Sequence, residues 1–79
     1  MILLTLYSRA ECHLCEEMLV ELRPLVEGKA RIEVIDVDTD EALALRFGQI
    51  VPVLMHGEVE LSRLRLDRQR VIEQIDRAS

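Results

Sequence analysis

Cys12 and Cys15 are the only cysteines of the chain, and the segment ECHLCEEM, residues 11–18, sets them three positions apart. Such a pair can form a structural disulfide, supply half of a metal site or act as a reactive dithiol. As a staple it is poor, because the loop it closes is tiny and the entropy removed from the unfolded chain grows with loop length. As a reactive dithiol it needs a particular backbone. Residues three apart at a helix start lie within reach of an unstrained S–S bond, whereas in an extended segment they are too far separated. A thiolate at the first position would face unpaired backbone N–H groups and the positive end of the helix dipole. Both stabilise the anion and raise the nucleophilic fraction at neutral pH. One cysteine can then attack a disulfide while the other resolves the mixed intermediate. Cys12, at the open end, is the expected attacker, and Cys15, on the apolar stripe that follows, the expected resolving thiol.

The neighbours modulate this chemistry. His13 lies between the cysteines, where partial protonation would favour the thiolate. Glu11, Glu16 and Glu17 favour a helix start but oppose an anion beside them. Arg9 offsets that charge if its side chain turns back toward Cys12. The metal alternative counts Cys12, His13, Cys15 and His56 as soft ligands. A structural zinc site normally has a second well-spaced pair, and adjacent Cys12 and His13 do not make its usual spacing. No metal ligand set is therefore assigned; a metal or iron–sulfur centre using the same cysteines is the alternative, and His56 reads as an edge or turn residue.

The elements that must position the pair follow from the apolar pattern. ILLTLY, residues 2–7, is a run of strand length whose continuous apolarity suits cover on both faces. From Leu14 the period changes: Leu14, Met18 and Leu22, with Cys15, Leu19 and Val26, make one stripe of an amphipathic helix. Glu16, Glu17, Glu21, Arg23 and Glu27 take the other face. Pro24 predicts a bend in the last turns, and Gly28 a stop. RIEVIDV, residues 31–37, is a second strand, joined to the first by a crossover long enough to make the two parallel. Asp38 with Glu41 predicts a capped short helix whose apolar face is Ala42, Leu43, Leu45 and Phe47. Residues 51–56 and 58–61 around Gly57 read as a hairpin, with Pro52 at a strand start or edge. Asp67 caps a last helix with Val71, Ile72 and Ile75 inward. The order is β-α-β-α-β-β-α, an α/β three-layer fold on a four-stranded mixed sheet.

Size and charge narrow the classes. The 79 residues form a single domain, 1–79, whose 49% hydrophobic content, with one Phe, one Tyr and no Trp, makes a core of Leu, Val and Ile. No run of 18 apolar residues crosses a membrane, and MILLTLYSR has too short an apolar run, with no basic segment before it, for a secretory signal. A cytoplasmic protein is expected, where close cysteine pairs are more often catalytic or metal-binding than structural. The formal charge of −5 argues against nucleic-acid binding. RLRLDRQR, residues 63–70, is the one basic run and reads first as a solvated helix approach.

LYSRAECHLC, VPVL and the element order together resemble glutaredoxin-like proteins of the thioredoxin superfamily, most nearly small bacterial glutaredoxin-like domains, over essentially the whole chain. The resemblance implies a thioredoxin-like, glutaredoxin-type fold and a dithiol–disulfide oxidoreductase acting on protein or glutathione mixed disulfides. It implies a cis Val51–Pro52 bond across from the dithiol, with the Val51 N–H and C=O pairing with a glutathione moiety or an extended peptide. Arg9 matches the basic position that holds the glycyl carboxylate of glutathione, and Tyr7 the aromatic near the active site. Two departures stand out. His13-Leu14 replaces the common Pro-Tyr, and Ser62-Arg63 stands at the Gly-Gly positions, with Asp67 as a delayed cap. Arg63 is thus a candidate substrate contact. No tightly bound cofactor is expected; glutathione is a candidate reductant or co-substrate, a reductase a candidate partner, and a monomer the expected state. A low-turnover thioredoxin-fold binding module is the other alternative.

Overall fold

The first strand, β1 (Ile2–Ser8), feeds helix α1 (His13–Val26), which returns to β2 (Ala30–Asp36). A computed structural model describes residues 1–78. A 3-10 turn over Val37–Thr39 then leads into helix α2 (Glu41–Phe47). The hairpin strands β3 (Val53–His56) and β4 (Val59–Arg63) follow, and helix α3 (Arg68–Ala78) closes the order. The sheet runs β2-β1-β3-β4, with β1 and β2 parallel and the other two pairs antiparallel. This is the predicted α/β thioredoxin-like topology.

Strand alternation divides the core in two. Leu4 and Leu6 of β1, Leu54 of β3 and Leu61 of β4 face α1 and α3, where Met18, Leu22, Val26, Val71 and Ile75 close over them. Each such side chain contributes about 1.5–3 kcal/mol when taken fully from water. On the opposite face Val37, Phe47, Val53 and Met55 form a smaller cluster joined by Tyr7, Leu43, Ile50 and Val51. The predicted cover of β1 on both faces is therefore incomplete: Leu3 is 47% exposed, because the short α2 does not reach that end of the sheet.

Several sequence expectations shift at this level. The buried stripe of α1 is Cys15, Met18, Leu22 and Val26, and Leu14 lies outside it at the surface. Cys15 starts the spacing that Met18 and Leu22 continue, which turns Leu14 outward. Helix α1 runs through Pro24, at an exposed position in its last turn, and stops before Gly28, which takes the left-handed φ of +75°. The cap of α2 is Asp40, whose carboxylate accepts the Ala42 N–H at 2.8 Å; Asp38, the predicted cap, is held elsewhere. Only Phe47 of α2 is fully buried, and Leu45 is almost wholly exposed. Strand β3 begins at Val53, leaving Val51 and Pro52 in the preceding loop. In α3, Val71 and Ile75 are buried, while Ile72 lies at the edge of that face.

Candidate functional site

The end of β1 delivers the chain to the dithiol through a turn at Ala10 and Glu11, with Glu11 in the left-handed region at φ +57°. Cys12 follows as the N-cap of α1, extended at φ −100° and ψ 105°. Its carbonyl accepts the Glu16 N–H at 3.1 Å, and its Sγ accepts the Cys15 N–H at 3.2 Å. A sulfur thus occupies the place that a Ser or Asp oxygen takes at an ordinary helix cap. The two cysteines form a disulfide across a Cα–Cα distance of 5.2 Å. Cys12 is partly exposed and Cys15 buried. A crevice of about 250 Å³ opens beside the pair, bordered by Ser8, Glu11, Glu16, Leu19 and Val34.

The charged neighbours are already engaged. His13 is 81% exposed, with Nε2 3.1 Å from a Glu17 carboxylate oxygen and Nδ1 4.0 Å from Glu16. Arg9 borders the same crevice, but its guanidinium is bonded elsewhere. Its Nε and Nη2 donate to the two Asp38 carboxylate oxygens at 3.0 and 3.1 Å, and Nη1 donates to the Gly48 carbonyl at 2.9 Å. A Cβ at Gly48 would overlap the Ala44 carbonyl oxygen and stand 2.8 Å from Nη2 of Arg9. The guanidinium therefore bridges the segment before the dithiol to the segment before Val51.

Val51 and Pro52 are joined by a cis peptide bond. Pro52 is buried, Val51 packs on the smaller cluster, and the Pro52 carbonyl accepts the Leu64 N–H at 2.8 Å. Tyr7 stacks on Phe47 with ring centroids 4.3 Å apart and planes 20° off parallel, so its ring packs on the α2 side of the sheet. Arg63 forms a two-pronged pair with Glu60 at 2.8 and 3.2 Å. The hydrogen bond to Glu60, and then its charge, raise the Arg63 pKa above the ordinary guanidinium value. Asp67 caps α3, accepting the Arg70 N–H at 3.1 Å, and its own N–H donates to buried Ser62 at 2.8 Å. His56 lies near α3, with Nδ1 2.7 Å from the Gln74 amide nitrogen. Among the described residues no three His, Cys, Asp or Glu side chains gather as a metal site would require.

The dithiol and the cis-proline segment are thus each set in the loops at one end of the sheet, and Arg9 connects them. Sequence reasoning missed Asp38, Gly48 and Leu64. The first two could have been suspected from an acidic residue and a glycine flanking the short helix; nothing marked the third.

A family model described as "Glutaredoxin-like domain (DUF836)" matches residues 3–76. No curated protein matches the sequence. Among solved structures, a structural-genomics target protein from X. campestris is 34% identical, with a TM-score of 0.69 over 96% of this chain and 99% of that one. A malarial protein is 19% identical, with a TM-score of 0.62 over 96% of this chain and 94% of its own. Buckwheat glutaredoxin, solved in complex with glutathione, is 20% identical, with a TM-score of 0.57 over 95% of this chain and 69% of its own.

Proposed function

Because the chain belongs to the glutaredoxin-like domain family, we propose that it is a dithiol–disulfide oxidoreductase of a reducing compartment such as the cytoplasm. The observation that carries the reading is the Cys12 sulfur: it caps α1, accepts the Cys15 N–H and is bonded to the Cys15 sulfur. The same donor that meets the sulfur in the oxidised form would stabilise the thiolate in the reduced form.

In the reduced protein the Cys12 thiolate attacks one sulfur of a substrate disulfide. The Cys12–substrate S–S bond forms, the substrate bond breaks, and the departing thiolate takes a proton from solvent. The Cys15 thiolate then attacks the Cys12 sulfur. This releases the second substrate thiolate and leaves the Cys12–Cys15 disulfide. Two electrons pass to the substrate. They return from two glutathione molecules, which leave as glutathione disulfide, or from the dithiol of a reductase partner.

Burial supports the assignment of roles, since the partly exposed Cys12 is open to an incoming disulfide and buried Cys15 is open chiefly to Cys12. In this reading the loop backbone at Val51 and Pro52 aligns the substrate chain, and Arg9, His13 and Arg63 border its path. The test is reduction of a protein disulfide, run separately with glutathione plus its reductase and with thioredoxin reductase. Turnover with either donor, lost in Cys12→Ser, is expected, and Cys15→Ser should accumulate a mixed disulfide. Absence of turnover with both donors, together with full thiol release by Cys15→Ser, would overturn the reading.

A further inference from the structure

Strand β4 ends where Leu64 takes a φ of +66°. A bulky L-residue seldom enters this region, and glycine adopts it without steric cost. Two backbone bonds hold Leu64 there: its N–H donates to the Pro52 carbonyl at 2.8 Å, and the Arg65 N–H donates to the Arg63 carbonyl at 2.7 Å. The second closes a three-residue turn of a strained kind. Burial does not explain the leucine, because it is 42% exposed.

Placement does explain it. Leu64 borders a crevice of about 170 Å³ together with Leu14, the residue just before Cys15, and buried Met18. Leu14 is itself 36% exposed. Three charged side chains share the crevice: Glu21 pairs with Arg68, and Glu17 lies 3.1 Å from the exposed His13 ring. Arg65 has no ion pair among the described residues. The backbone thus turns through an unfavourable conformation to set an apolar side chain and an unmatched cation beside the dithiol motif and against the cis-proline.

We propose that Leu14, Leu64 and Arg65 select the substrate of exchange: a polypeptide disulfide with an apolar residue beside the reacting cysteine and a carboxylate next to it. The apolar side chain seats between the two leucines, where leaving water favours it, and the carboxylate meets Arg65. The inference rests on the exchange reading above. In the selective step the Cys12 sulfur bonds to the polypeptide cysteine, and the thiolate formerly bonded to that cysteine departs and is protonated by solvent.

The test uses the reduced protein in single turnover with mixed disulfides between one small thiol and peptides that differ only beside the cysteine. The flanks are Leu with Glu, Ser with Glu, and Leu with Lys, and each rate is divided by that of the same protein with hydroxyethyl disulfide. The Leu–Glu peptide should react at least about tenfold faster than Ser–Glu, as expected for seating a leucine. It should exceed Leu–Lys by about threefold at low salt, converging as ionic strength rises. Leu64→Gly, which suits the left-handed turn, should reduce the Leu-over-Ser preference to about twofold. Arg65→Gln should abolish only the Glu-over-Lys preference. Equal normalised rates for all three peptides, or a full preference retained by Leu64→Gly, would overturn the inference while leaving exchange intact. Failure of every disulfide to oxidise the dithiol would overturn exchange and this inference with it.

Discussion

Gly48→Ala poses a question of sign that the structure decides. Gly48 has φ −56° and ψ −28°, an ordinary helical conformation in which alanine is comfortable. On backbone grounds alone the change should stabilise the protein by about 0.5–1 kcal/mol. The surroundings oppose this. The added methyl overlaps the Ala44 carbonyl oxygen and reaches within 2.8 Å of Nη2 of Arg9. Relief requires the end of α2 to open, weakening the Gly48 N–H bond to Ala44, which is worth about 0.5–1.5 kcal/mol net. It also displaces Arg9 from the Gly48 carbonyl, where a charged donor contributes about 1.5–3 kcal/mol. The Arg9–Asp38 pair adds little, at most about 1 kcal/mol, because its side chains are 38% and 51% exposed and solvent screens them.

The losses outweigh the gain, and a net destabilisation of about 2–3 kcal/mol is expected. In a domain of this size that lowers Tm by about 10–20 °C. Thermal and urea unfolding followed by circular dichroism measure it directly. In an Arg9→Met background the guanidinium and its bond to Gly48 are already gone, so the same substitution should cost about 1.5–3 kcal/mol less. A Gly48→Ala protein as stable as its parent would refute the steric argument. Strict additivity with Arg9→Met would refute the part assigned to the guanidinium.

On reduction, Cys12 should be alkylated before Cys15 at neutral pH, because Cys12 is the more exposed of the two; mass mapping that finds equal or reversed labelling contradicts this. Asp40→Ala should destabilise the fold by about 1 kcal/mol through loss of the α2 cap. Asp38→Ala should leave that cap intact and instead make the segment carrying Arg9 more mobile, which amide exchange at residues 9–12 would report. Native-state hydrogen exchange should find α2 amides opening well before those of β1 and the middle of α1, since α2 has one fully buried side chain. Equal protection would show that the two faces of the sheet unfold as one unit.

The large elements were legible because each carries its own period. Leu4 and Leu6 lie in a run of strand length, and Met18, Leu22 and Val26 repeat at helical spacing. What was not legible depends on choices among chemically equal candidates. Asp36, Asp38 and Asp40 alternate through one short segment, and any of them can cap a helix. Asp36 accepts the Asp38 N–H at the 3-10 turn and Asp40 caps α2, while Asp38 is taken by Arg9 from 29 residues away. No local pattern encodes that selection. The helical spacing of Leu14 to Met18 predicts a place on the buried stripe, but the same spacing holds for a residue on the stripe's margin. Two placements were legible: Cys12 at the helix start followed from the motif, and the cis Val51–Pro52 bond from the resemblance. The engaged state of Arg9 was not, because a basic residue matching a family position says nothing of an acid that folds against it.

The asymmetry of the core explains why a polar bridge stands beside the dithiol. Among the described residues the cluster under α1 and α3 holds ten buried hydrophobics, the cluster under α2 four. A helix of seven residues is too short to persist by itself. Its register on the sheet therefore rests on Phe47 stacked on Tyr7 and on whatever ties its two ends. Apolar packing ties them in part, through buried Val37 before the helix and half-buried Ile50 after it, while Asp38, Asp40 and Gln49 are exposed. Arg9 adds a directional tie, with one planar group that satisfies a carboxylate before α2 and a carbonyl after it. Because Arg9 stands three residues ahead of Cys12, and Gly48 precedes Pro52 by four, the same guanidinium links the segment leading to the dithiol with the segment leading to the proline loop. A chain this small thus supplements sparse packing on its α2 face with directional polar bonds.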